Sequence, residues 1–103
     1  MTAVLTETKR LNEIFSVVGA NIIRLRTGAG MSQKELAAKA GAGRSTILAI
    51  ESGRQCNLTM LIKIAHALGV SPADLFLSPS DHKEITYKTK LLIEKITEVL
   101  NLK

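Results

Sequence analysis

Apolar residues recur at steps of three and four along Leu11, Ile14, Phe15, Val18, Ile22 and Leu25, which places them on one face of a helix. Gly19 falls inside this stripe as a candidate interruption, and Gly28-Ala29-Gly30 ends it. Ser32 stands three residues before Glu35, so its hydroxyl can cap the Glu35 amide while the carboxylate reaches back. Met31 and Leu36 flank that box as a hydrophobic staple, and a second helix follows to about Ala40 with Leu36, Ala37 and Ala40 inward. Gly41-Ala42-Gly43 allows a sharp turn. Arg44 to Glu51 reads as a third short helix with Ile47 and Ile50 inward, stopped by Ser52-Gly53. Asn57 caps a fourth helix carrying Leu58, Leu61, Ile62, Ala65 and Leu68, closed by Gly69. Ser71-Pro72-Ala73-Asp74 then launches one or two turns bearing Leu75 and Phe76. After a break at Ser78-Pro79-Ser80, Asp81 and Glu84 form a further capping box. Ile85, Leu92, Ile96 and Val99 share one face of a last helix, extended by Leu91, Leu100 and Leu102.

The pattern predicts an all-α protein. At 103 residues the chain suits one compact domain, here residues 17–78, with a helical N-terminal extension at 1–16 and a C-terminal helix at 79–103. Phe15, Phe76 and Tyr87 are its only aromatic residues, so the core must be aliphatic. No apolar run reaches the ~20 residues that span a bilayer, and Met1 to Arg10 lacks the apolar centre of a signal peptide. Cys56 is the single cysteine, which excludes an internal disulfide and fits a reducing, cytoplasmic setting.

Charge sharpens the reading through its distribution. Of the formal net +5, nearly all lies within residues 16–56, where Arg24, Arg26, Lys34, Lys39, Arg44 and Arg54 face only Glu35 and Glu51. Such a stretch fits a polyanion partner. Two short helices joined by a three-residue glycine-containing turn form a helix-turn-helix unit. Through "LRTGAGMSQKELAAKAGAGRSTILAIESG" and then "LIKIAHALGVSPADLF", the chain resembles the lambda-repressor-like (XRE, Cro-type) helix-turn-helix family. The resemblance implies a five-helix DNA-binding domain, with the last helix and the N-terminal extension added to it. Restriction–modification controller proteins look similar in size and in the Asn-Leu-Thr start of helix 4; phage repressors and stand-alone regulators look nearly as close.

The resemblance also implies roles. Arg44, Ser45, Thr46 and Ala49 would meet base edges in the major groove, Arg44 taking a guanine bidentately and Leu48 or the methyl of Thr46 touching thymine. Gln33 would clamp a phosphate at the start of helix 2 and brace the start of helix 3, while Arg54 and Asn57 would hold the DNA backbone. Arg26 and Glu51 would form a structural ion pair between helices 1 and 3. The loop between Gly53 and Lys63 is one residue shorter than the commonest family spacing, with Cys56 where small or polar residues are usual.

Other chemistry finds no support. His66 and His82 lack a second ligand at metal spacing, so no metal or other cofactor is expected. Gly28-Ala29-Gly30 follows a helix and lacks the downstream Gly-Lys-Ser/Thr of a phosphate-cradling loop. No carboxylate pair or Ser/His/Asp set presents itself, and an enzyme is not expected. The expected function is a transcription regulator binding double-stranded DNA, as a homodimer on an inverted-repeat operator. Its termini, including Val4, Leu5, Leu11, Ile14 and Phe15, would form the dimer contact. The alternative is an antitoxin-type module that neutralises a partner protein and also binds its own promoter.

Overall fold

The computed structural model describes residues 2–101, with side chains at 7–81 and 83–101. The side chains of Val4, Leu5 and His82, and all of Leu102, lie outside the described residues. Five α-helices follow one another: α1 (Thr2–Gly28), α2 (Gln33–Ala40), α3 (Arg44–Glu51), α4 (Leu58–Leu68) and α5 (Pro79–Asn101), with a 3-10 turn at Pro72–Leu75. The last short helix of the domain is therefore a single tight turn.

Local signals place the boundaries. The Ser32 Oγ accepts from the Glu35 amide at 3.0 Å, and Glu35 accepts from the Ser32 amide at 3.3 Å. Gly41, left-handed at φ 67°, closes α2 while the Ala42 amide donates to the Ala37 carbonyl at 2.9 Å. Asn57 accepts from the Met60 amide at 2.8 Å and starts α4. The box expected at Asp81 and Glu84 sits one turn earlier. Ser78 is the cap: its Oγ accepts from the Asp81 amide at 3.2 Å, and Asp81 accepts from the Ser78 amide at 3.2 Å. Pro79 then occupies the first helical position, where its fixed φ and missing N–H cost nothing, so the predicted break is a helix start.

The core is aliphatic: Val18 and Ile22 from α1, Leu36 from α2, Ile47 and Ile50 from α3, Leu61 and Ile64 from α4, and Leu75 from the 3-10 turn. On α4 the inner row is Leu61, Ile64 and Ala65, whereas Leu58 and Ile62 face solvent. Helix α2 packs on α3 and α4, and α1 packs on α3 and the 3-10 turn.

Gly19 does not interrupt α1; it is the crossing point. A methyl group there would lie 2.6 Å from the Ile50 carbonyl oxygen and 2.7 Å from that of Glu51. Only hydrogen fits between the two backbones. Two residues on, buried Asn21 donates to the Leu75 and Leu77 carbonyls at 2.9 and 2.7 Å, and its oxygen accepts from Arg24 at 3.3 Å. Asn21 thus ties the end of the 3-10 turn to α1. Asn21→Ala leaves two carbonyls short of a donor and is expected to cost about 1–3 kcal/mol, read as a lower urea midpoint at unchanged slope.

Candidate nucleic-acid interface

The turn at Gly41–Gly43 directs α3 across the end of α2, and its sequence divides the short helix lengthwise. Ile47, Ile50 and Glu51 are buried. Arg44, Ser45, Thr46 and Leu48 are exposed, and Ala49 is half-buried between the two sets. Gly43 offers no side chain to cap α3, so the first turn has no side-chain acceptor for its amides. The outward, N-terminal part of α3 therefore presents a guanidinium, two hydroxyls, an apolar side chain and the positive end of a helix dipole.

A buried polar junction holds this helix in place. Glu51 accepts from Arg26 Nε at 2.6 Å and Nη2 at 3.1 Å, a bidentate pair whose side chains are 3% and 13% exposed respectively. Arg26 Nη1 also donates to the Met31 carbonyl at 2.9 Å. Gln33 Nε2 donates to Glu51 at 2.9 Å. Gln33 thus braces the end of α3, not its start as expected. One of its amide hydrogens is committed to that role. The junction joins α1, α2 and α3 at a single carboxylate.

The ion pair also edits the surface charge. Arg26 and Glu51 neutralise one another inside, while Arg24, Lys34, Lys39, Arg44 and Arg54 remain exposed with Glu35 as the acidic neighbour on this stretch. Arg54 follows the left-handed Gly53 in the loop after α3, and the Asn57 carboxamide uses its oxygen to cap α4. Cys56 in the same loop is partly buried, and that burial pushes its thiol pKa up, away from the thiolate form that a nucleophile needs. Among the described residues, no three His, Cys, Asp or Glu side chains gather as a metal site. No helix among them is long and apolar enough to cross a membrane.

Three features escaped the sequence reading. Gly19 and Asn21 both sit on the α1 face whose period was read, but periodicity reports which face is inward and not how closely a neighbour approaches. A polar residue beside Ile22 within that stripe was the available signal for Asn21. The Gln33–Glu51 bond links residues 18 apart, and nothing local announces it.

Known proteins share this fold. The profile of the helix-turn-helix family matches residues 22–75. A helix-turn-helix-type transcriptional regulator, y4dJ, of Sinorhizobium fredii is 39% identical over 67 residues, covering 63% of this chain and 84% of that protein. The restriction–modification controller protein C.AhdI from Aeromonas hydrophila is 36% identical with a TM-score of 0.59, the match taking in 60% of this chain and 96% of that one. A hypothetical transcription factor, NHTF, from Neisseria is 32% identical with a TM-score of 0.66, over 70% of this chain and 84% of that one. By sequence and by fold, this chain belongs to the lambda-repressor-like (XRE-type) helix-turn-helix family of DNA-binding transcriptional regulators.

Proposed function

We propose that the chain acts as a homodimeric regulator on an inverted-repeat DNA site, with α3 of each copy lying in the major groove. The observation that carries this reading is the split of α3 between an anchored inner row and an exposed polar N-terminal surface. Arg44 takes a guanine edge through two parallel hydrogen bonds, Ser45 and Thr46 donate to or accept from base edges, and Ala49 with Leu48 meets thymine methyl groups. The second amide hydrogen of Gln33, together with the first amides of α2, holds a phosphate. Arg54 and the Asn57 amide nitrogen hold the backbone on the other side of the groove. Two copies place their α3 helices about 34 Å apart, one turn of the duplex.

Selecting bound sequences from a random duplex pool tests the reading directly, and a two-fold symmetric site is the expected product. On that site, Arg44→Ala is expected to cost about 1–3 kcal/mol in affinity and to relax preference at one base pair. Gln33→Ala is expected to weaken binding to every sequence alike, and affinity should fall steeply with added salt. Unchanged affinity in both variants would show that α3 does not read DNA.

A further inference from the structure

We infer that α5 of a second copy of this chain covers the outer turns of α1, so that two α1 and two α5 helices close a second apolar core. The inference rests on the homodimer reading and adds where the copies meet. Within one chain both surfaces are bare. Every described side chain of α5 is exposed, as is every one on α1 from Glu7 to Ile14, and among the described residues α1 and α5 make no extensive contact. The radius of gyration is 17.4 Å, against about 13 Å for a compact chain of this length. The outer turns of α1 and all of α5 are arms.

Their sequences fit one another. On α5, Ile85, Leu92, Ile96 and Val99 form a row with Ile93 and Leu100 on its shoulder, each 50–65% exposed. At ~100° per residue these six side chains span roughly 120° of the helix, wider than the two-position seam of a simple helix pair. A face that wide needs two neighbours. A partner α5 supplies one, and the outer stripe of α1 supplies the other. Leu11 and Ile14 continue outward the row that Val18 and Ile22 bury in the core, and Ile14, Val17 and Phe76 line a shallow depression beside Arg10 and Glu13. The α5 row from Ile85 to Val99 runs for about 20 Å, and the described α1 stripe from Leu11 to Val17 for about 9 Å, at 1.5 Å per residue. Leu11, Ile14, Phe76 and the six α5 side chains, each 41–65% exposed, supply the apolar centre of an interface, for which a specific complex buries about 800 Å² per partner. Charge agrees with antiparallel α5 helices: residues 81–90 hold Lys83, Lys88 and Lys90 against Asp81 and Glu84, whereas residues 91–101 hold Lys95 against Glu94 and Glu98.

Sedimentation equilibrium of the full chain at micromolar concentration, without DNA, tests the arrangement. The wild type is expected at twice 11.1 kDa. Leu92→Asp/Ile96→Asp and, separately, Leu11→Asp/Ile14→Asp should each raise the dissociation constant at least ~100-fold, and the milder Ile96→Ala and Ile14→Ala ~10-fold. A cooperative thermal transition retained in each variant shows that the domain still folds. A monomeric wild type, its arms folded on their own domain, overturns the inference. So does a dimer indifferent to the α1 substitutions, which would mean that the α5 helices pair alone. Loss of self-association with Arg44-dependent binding to a half-site duplex retained supports it. Absence of any Arg44 effect sinks the DNA reading and leaves this measurement untouched.

Discussion

Glu51→Ala is expected to destabilise the domain by about 3–5 kcal/mol, because it leaves the Arg26 guanidinium buried without its counter-charge. Three donor groups lose their acceptor at once: Arg26 Nε, Arg26 Nη2 and Gln33 Nε2. A small domain has only about 5–15 kcal/mol in hand. At roughly 4–8 °C per kcal/mol for a domain this size, the melting temperature should fall by well over 10 °C. Calorimetry of wild type and variant checks the value. Removing both charges together, as Arg26→Met/Glu51→Leu, should recover most of the loss, since a buried pair offsets its own desolvation only narrowly. A Glu51→Ala protein as stable as the wild type would mean that the junction is not the clamp its geometry describes.

Gly19→Ala is expected to destabilise by about 1–3 kcal/mol, the range for overfilling a packed site, and Gly19→Val by more. The sign runs against helix propensity, which favours alanine over glycine inside a helix by about 0.5–1 kcal/mol. Packing decides it. The atoms at 2.6 and 2.7 Å are backbone carbonyl oxygens at the end of α3, and they cannot swing aside as a flexible side chain would. Helix α1 has to lift away and loosen Val18 and Ile22 from Ile47 and Ile50. The same displacement tilts α3, so half-site affinity should fall further than in a surface variant of equal stability. Equilibrium unfolding paired with a half-site titration separates the two effects. A stabilised Gly19→Ala protein would show that the crossing is looser than described.

These two positions mark where sequence reading succeeded and where it stopped. Helices α2, α3 and α4 were legible nearly to the residue, because Ser32, Gly41, Asn57 and Gly69 each settle a boundary by local chemistry alone. The cap of α5 was less legible than its range: Asp81 and Glu84 resemble a capping box, but the pair that closes is Ser78 with Asp81, since proline at the first helical position is favourable when a serine precedes it. The inward pair Ile47 and Ile50 on α3 followed from its period, whereas the outward set was implied by the family resemblance. Gly19, Asn21 and the tether of Gln33 to Glu51 followed from neither, since each depends on which backbone or carboxylate the fold brings close from 18 or more residues away.

The unbroken length of α1 carries a mechanical meaning. Twenty-seven residues without a hinge make a rod of about 40 Å, bolted at its inner half to the end of α3 by the Gly19 crossing and the Arg26 guanidinium. Torque on the outer turns reaches α3 without crossing a loop that could absorb it. One residue inserted between the two halves would rotate them by ~100° and shorten nothing. The rod therefore acts as a protractor: whatever grips its outer turns sets the angle at which the exposed face of α3 is held.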